Sequence, residues 1–298
     1  MSDVSRPATE DPFVTHRGLL FTVAYEMLGS AADAEDVLQE SWLRWSAEDR
    51  GDVLDPRAYL VRIVTRQALN QLRTASRRRE EYVGPWLPEP LRTTPDVADD
   101  VVLAESVSLA MLTVLETLGP TERAVFVLRE VFDVPFDEIA EAVGKTPAAV
   151  RQIAHRARDH VAARRPRVVV DASEHDRVVE RFIAVMNSGD VQSLMDVLAP
   201  DVVSVTDSGG LVRHAARRPL HGAERVVAFL QGSIAKLDTA FAVVPLRVNG
   251  TLGAGIRVGG ELLAAVSFAV EDGRITRVFS VANPEKLSGL EAEAPLAR

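Results

Sequence analysis

Residues 135–161 read PFDEIAEAVGKTPAAVRQIAHRARDHV. The spacing predicts a helix from Phe136 to Ala142 with Ile139 and Ala140 turned inward. Gly144 then supplies a tight turn, where a positive φ costs a glycine little. Thr146 is placed to cap a second helix, and Pro147 occupies its first position, where the missing N–H is not needed. Ala149 stands where a full capping box would carry Glu or Gln. In the second helix Val150, Ile153, Ala154, Ala157 and Val161 recur three or four apart and form a buried stripe. The opposite side carries Ala148, Arg151, Gln152, His155 and Arg156, donors for base edges and phosphates around one small residue that permits close approach. Arg156 and Arg158 are the better placed for phosphates. The stretch reads as a helix-turn-helix; the plain alternative is a helical hairpin with a solvated basic face.

Around it lie 298 residues with a net charge of −9, 47 % apolar residues and no cysteine. That length and composition suit two or three globular domains. Disulfides and thiolate metal sites are excluded, and the lack of cysteine suits a reducing cytoplasm. Met1 to Asp11 is polar and acidic, unlike a signal peptide, and no apolar run is long enough for a bilayer, so no membrane partner is expected. The negative total does not exclude nucleic acid, because the charge is unevenly placed and local patches decide binding.

Upstream, one helix is predicted from Phe13 to Leu28, ended by Gly29. Ser30 opens a second, Ala31 to Ala47, with Ala34, Val37, Leu38, Trp42 and Trp45 as its buried stripe. Asp33, Asp36, Gln39 and Glu40 fall on one outward face, either a solvated surface or a docking face for a basic partner. Asp55-Pro56 starts a third helix, to about Ser76, with Leu60, Val64, Ala68 and Leu72 on one side and Arg62, Arg66, Asn70, Arg73 and Arg77 on the other. Seven arginines and no acid occur between Pro56 and Arg79. Like charges one turn apart repel, so such a row points to a polyanion.

SAADAEDVLQESWLRW (30–45) followed by DPRAYLVRIVTRQALNQLR (55–73) resembles region two of an extracytoplasmic-function sigma factor of the sigma-70 family. IAEAVGKTPAAVRQIAHRAR (139–158) resembles that family's region four. The resemblance implies that Asp33, Asp36, Gln39 and Glu40 bind RNA polymerase core enzyme. It implies that Arg62, Arg66, Asn70, Arg73 and Arg77 face the promoter −10 element. The recognition helix, with Ala148, Arg151, Gln152, His155, Arg156 and Arg158, would read the −35 element.

Between these motifs, YVGPWLPEPLRTTP (82–95) holds four prolines and a glycine, which forbid regular structure. Trp86 and Leu87 are apolar in this polar linker, which suggests docking. Asp96 to Glu105 begins a helix that Val107 to Leu118 continues, with Leu109, Leu112, Leu115 and Leu118 inside. Gly119-Pro120 breaks it, and Thr121 caps a further helix from Glu122 to Phe132. A basic tail, Arg164, Arg165 and Arg167, follows the helix-turn-helix.

From Val168 the periodicity changes. Helices from Glu174 to Met186 and Val191 to Leu198 precede β-like runs at Val202–Thr206, Leu211–Ala215, Phe241–Val248, Leu252–Val258, Leu262–Val270 and Ile275–Ala282, with one helix, Gly222 to Lys236, between them. Gly259-Gly260 and Asp272-Gly273 look like hairpin turns. Helices followed by a long antiparallel sheet read as α+β. The segment resembles the SnoaL-like, cystatin-like cone, whose curved sheet encloses a pocket. Trp86-Leu87-Pro88-Glu89-Pro90, Asp207-Ser208-Gly209-Gly210 and Asn283-Pro284-Glu285-Lys286-Leu287 resemble motifs of one sigma sub-group that carries such an extension. Ser208 and Leu211 depart from its glycine motif, Leu211 replacing a lysine. Trp86, Leu87, Pro88, Asp207, Gly209, Gly210, Asn283, Pro284 and Lys286 are the expected interdomain residues.

Cone folds also host isomerases and cyclases, for which Asp201, Asp207, His214 and His221 are candidate acids or bases. No pair has a spacing that requires chemistry, and no cofactor or metal is expected. The expected fold is multidomain: sigma region 2 (12–80), a Pro-rich linker (81–104), sigma region 4 (105–167) and an α+β regulatory cone (168–298). The expected function is a cytoplasmic sigma factor that binds polymerase core and promoter DNA and is controlled in cis by its cone, with a small ligand in the cone pocket left open. Its rivals are a one-component ligand-sensing regulator, against which the acidic polymerase-binding row speaks, and a cone-fold isomerase or hydrolase with a DNA-binding appendage.

Overall fold

The computed structural model describes residues 11–47, 53–94, 97, 100–164, 171–213, 215–290 and 292–298, and for 75–80 the backbone alone. It opens with α1 (Pro12–Thr15) and α2 (Arg17–Leu28), where the sequence predicts a single helix. The break falls at His16, at φ −99° and ψ 6°. At the start of α1 the Asp11 carboxylate accepts the Phe13 N–H and the Trp45 indole N–H, each at 2.9 Å, and ties the first turn to a neighbouring helix. Gly29, at φ 68°, ends α2 in the left-handed conformation. α3 (Ala31–Ala47) follows, then α4 (Pro56–Glu80), which runs past the expected end at Ser76. Trp42 leaves the predicted stripe of α3: it is 36 % exposed and lies edge-on to Phe13, while Ser41 is buried.

The leucine-rich segment is two helices, α5 (Val101–Val107) and α6 (Leu109–Leu115), and α5 begins inside the span 81–104 taken as linker. Ser108 makes the break, with an extended backbone and a hydroxyl that caps the Met111 N–H. α7 (Pro120–Phe126) is capped at Gly119, not at Thr121, and the Glu122 carboxylate accepts the Gly119 N–H at 3.3 Å. It passes into a π-helical turn over Val127–Val131. α8 (Phe136–Val143) and α9 (Pro147–Ala162) form the helix-turn-helix, with Gly144 at φ 68° and the Thr146 hydroxyl capping Ala149. α1–α4 and α6–α9 share one apolar core from Phe13 to Val161, so the two helical segments are continuous in space.

In the C-terminal part, α10 (Ala172–Ser188), α11 (Val191–Val197) and α12 (Ala223–Ile234) lie against a six-stranded sheet. Its strands are β1 (Leu198–Asp207), β2 (Leu220–His221), β3 (Phe241–Val248), β4 (Thr251–Val258), β5 (Glu261–Glu271) and β6 (Arg274–Val281). The order is β2-β1-β6-β5-β4-β3. β1 runs parallel to β6, so the sheet is mixed where an antiparallel one is expected. The expected strand at Leu211–Ala215 is absent among the described residues: Gly209 and Gly210, both at positive φ, turn the chain aside and leave Leu211 exposed. A short helix, α13 (Pro284–Leu287), follows β6.

Alternation along the strands gives the sheet two different faces. Ser204, Thr206, Val266, Val278 and Ser280 face α10 and α12. Val205, Ala265, Ala269, Phe279 and Val281 face Leu87 of the linker and Leu109 of α6. The sheet is therefore the wall between the cone's interior and the helical part. Among the described residues no helix is long and apolar enough to cross a membrane.

Candidate functional site

On α9, Ala148, Arg151, Gln152, His155, Arg156 and Arg158 are all exposed on one side, opposite the buried stripe. Arg151 leans over the Phe136 ring, 5.7 Å from its centroid. His155 lies 3.1 Å from Asp159, and Arg158 is paired with Glu130 at 3.4 Å, so part of this basic face is already engaged. The tail residues Arg165 and Arg167 lie outside the described residues.

The arginine face of α4 is placed differently. Arg62 pairs with the Glu141 carboxylate at 2.8 Å, and Arg66 donates to the Glu141 backbone carbonyl at 2.8 Å. Glu141 belongs to α8, so the first helix of the helix-turn-helix sits on the face expected to meet the −10 element. Asn70 and Arg73 are exposed beside it. Arg77 lies on the helix, with its side chain outside the described residues.

On α3, Asp36, Gln39 and Glu40 are exposed, and Glu40 pairs with Arg44 at 3.2 Å. Asp33 is half-buried and accepts the Gln71 side chain at 2.9 Å, so it also braces α3 against α4. The N-terminus of α3 is capped from the linker: Glu89 accepts Ser30 Oγ at 2.9 Å and the Ala31 N–H at 2.6 Å. A carboxylate there also meets the positive end of the helix dipole.

The linker is threaded between the helical part and the sheet, and its polar groups converge on Asp207. That carboxylate is fully buried. One oxygen accepts the Tyr82 hydroxyl at 2.5 Å; the other accepts the Leu87 N–H at 2.8 Å and the Lys286 ammonium at 2.8 Å. Lys286 also donates to the Leu87 carbonyl and lies 4.1 Å from the centroid of the Trp86 ring. Asn283 caps α13 and donates to the Tyr82 hydroxyl at 2.8 Å, while Pro284 starts that helix. Pro88 is buried beside Leu87. The glycines permit the approach: a Cβ at Gly209 would stand 2.7 Å from Asn283 Nδ2, and one at Gly210 would stand 2.8 Å from a Val83 methyl. Leu211, in the place of the sub-group's lysine, is exposed, and the cation beside Asp207 is Lys286. Burial and the bond to Asp207 push the Tyr82 phenol up from its usual pKa.

Sequence reasoning passed over Asn249. It occupies an Asn-Gly hairpin turn between β3 and β4 at φ 53°, and that dipeptide is the signal that could have found it. Its side chain is fully buried and accepts the Leu91 N–H at 2.9 Å. It donates to the Val107 carbonyl and to the Tyr25 hydroxyl, which in turn donates to the Glu89 carbonyl at 2.6 Å. Also unforeseen is a buried junction of α2 with α7. Arg123 pairs with Glu116 and donates to the Glu26 carbonyl, and the Glu26 carboxyl accepts Ser106 Oγ at 2.6 Å. Burial pushes the Glu26 pKa up to about 8, against the opposing pull of Ser106 and Arg123.

The candidate acids and bases are scattered. Asp201 and His221 are exposed, His214 lies outside the described residues, and Asp207 points into the linker contact. Among the described residues no cluster of His, Asp and Glu could hold a metal.

Models of sigma-70 region 2, sigma-70 region 4 and a SnoaL-like domain match residues 13–78, 108–161 and 179–278. The chain is 40 % identical over 292 residues to the ECF RNA polymerase sigma factor SigJ of Mycobacterium tuberculosis, covering 93 % of this chain and 92 % of that protein. It is 33 % identical over 282 residues to the probable ECF RNA polymerase sigma factor SigI of the same organism, covering 93 % and 94 %. The crystal structure of the M. tuberculosis extracytoplasmic function sigma factor SigJ superposes with a TM-score of 0.75 at 37 % identity, over 93 % of this chain and 98 % of that one.

Proposed function

The chain belongs to the extracytoplasmic-function RNA polymerase sigma factors, and from that premise we propose that its cone domain controls promoter use in cis through the Asp207 contact with the linker. As a sigma factor it directs transcription initiation, with polymerase core and promoter DNA as partners. We assign core binding to Asp33, Asp36, Gln39 and Glu40. Contact with the −10 element goes to Arg62, Arg66, Asn70, Arg73 and Arg77, and −35 reading to the exposed face of α9. This work takes place in the cytoplasm. The cone has no catalytic role in this reading: its relatives are sigma factors, and both Asp207 oxygens are bound on the linker side of the sheet.

The observation that carries the regulatory reading is the double attachment of the linker. Leu87 is held by Asp207 and Lys286 of the cone, while Glu89, two residues on, caps the helix expected to bind polymerase. A tethered cone is at high effective concentration, so the contact is populated without great intrinsic strength. The test is Asp207→Ala in the full chain. Removing one partner of a buried pair costs about 3–5 kcal/mol. Amide exchange at Leu87 should rise at least tenfold, core affinity should stay within twofold, and run-off transcription with purified core should change severalfold. Lost Leu87 protection with unaltered transcription would show that the contact is structural only.

A further inference from the structure

The cone encloses a cavity of about 210 Å³ on the opposite side of the sheet from Asp207. Its wall is apolar: Phe182, Met186, Val226, Phe229, Ile256 and Val266 are among the lining residues. Its floor is not. Ser204 and Thr206 on β1 and Ser280 on β6 turn their hydroxyls inward, with Thr206 and Ser280 directly paired in register. Among the described residues none of the three hydroxyls has a hydrogen-bond partner, and none is sealed from the cavity space. At the exposed rim stand Arg213 and Lys236, neither in an ion pair among the described residues. The described lining contains no Asp, Glu or His.

These features select a ligand class. An apolar bore of this size accepts a short hydrocarbon or aromatic body. Two cations at the rim with no acid in the described lining favour an anionic head that stays near water. The free hydroxyls offer hydrogen bonds to a single oxygen carried at the far end, though a purely apolar tail also fits by displacing water. We propose that the cavity binds a small amphiphilic carboxylate, and that its occupancy is passed through the sheet to the linker contact.

The transmission follows from strand alternation and rests on the regulatory reading of Asp207. Thr206 lines the cavity, and the next residue, Asp207, holds Leu87. Ser280 and Ala282 line the cavity, and Asn283 holds Tyr82. Val212 and Arg213 line the cavity, and Gly210, two residues before Val212, is pressed on Val83. In each case a cavity residue and a linker-holding residue share a few bonds of backbone. Filling the cavity against Thr206 or Ser280 therefore acts on the strand ends that hold the linker.

Octanoate is a suitable probe, with octanol as its uncharged counterpart, both titrated into the full chain by calorimetry. Octanoate should bind, and octanol at least tenfold more weakly. Arg213→Glu with Lys236→Glu, two exposed changes, should abolish that preference. Ala264→Phe, which fills the cavity, should abolish both, and the rim variant keeps the test informative if that protein fails to fold. No octanoate binding at millimolar concentration, or equal binding of octanol, overturns the ligand class. Amide exchange at Leu87 is then compared with and without saturating octanoate. A change of threefold or more is expected; binding with no change at Leu87 overturns the transmission. The cis-control reading is judged separately by Asp207→Ala in the ligand-free chain, so either can fail alone.

Discussion

Glu26 is the residue whose ionisation is set most clearly by its surroundings. It is fully buried where α2 meets α7, with one carboxyl oxygen on Ser106 and the other without a partner among the described residues. Burial disfavours the charged form, which is why its pKa rises to about 8 from an ordinary 4.5. The raised folded value fixes the sign. Below the unfolded pKa both states hold the proton and nothing is lost; between there and about pH 8 the folded state alone holds it, so stability falls as pH rises. Glu26→Gln keeps an acceptor for Ser106 and cannot ionise. Thermal unfolding of the wild-type protein should therefore drop by several degrees relative to the variant between pH 5 and pH 8. Parallel curves across that range would show that Glu26 does not titrate there.

At the scale of the element, the proposed function commits one face of α3 and one of α9 to a partner. Asp36 is exposed, and exposed charges add little to stability. Asp36→Arg should lower affinity for polymerase core at least tenfold while the melting temperature stays unchanged. Equal affinity would remove α3 as the docking face. On α9, Arg151→Ala should weaken binding to the preferred promoter by about 1–3 kcal/mol and relax preference at one base step, as read in a promoter-variant transcription assay. Arg158→Ala should weaken all sequences alike, and less than a free arginine would, because Glu130 already holds Arg158.

These same elements mark what the sequence makes legible. The helix-turn-helix is written locally: Thr146, Pro147 and Gly144 act within a few residues, and the buried stripe of α9 is a simple period. The docking of α1 depends on Asp11 reaching Trp45, far away in sequence, and no window contains both. Leu211 and Val212 resemble a strand until two positive-φ glycines redirect them. Among the interdomain residues, Asp207 and Trp86 stand out as motifs, whereas Asn249 and Glu89 acquire their roles only when hairpin, linker and α3 meet. The same holds for the last residues, where Ala297 donates to Thr22 and Arg298 pairs with Asp100.

On the scale of the whole molecule, the closed arrangement conflicts with simultaneous promoter contact. The −10 and −35 elements are separated by about 25 base pairs, or roughly 85 Å of straight duplex at 3.4 Å per pair. Here Arg62 of α4 lies 2.8 Å from Glu141 of α8, the neighbour of the recognition helix. If α4 and α9 carry the DNA faces proposed for them, both cannot meet their elements unless the shared helical core parts. The Arg62–Glu141 pair is too exposed to hold it shut alone, being worth about 0–1 kcal/mol. The buried contacts that continue from α2 and α4 into α7 and α8 carry the closure. On the proposed reading, binding to polymerase core drives the opening. The chain has no cysteine, so Thr74→Cys with Lys145→Cys, both exposed sites, gives a clean pair of label positions. Pulsed electron resonance should report one short distance in the free protein and one longer by several tens of ångströms with core. Glu141→Ala alone should leave the short distance dominant, since the apolar core remains. An unchanged short distance in the core complex would mean that the helical core stays shut on polymerase, and that α4 and α9 do not serve two promoter elements at once.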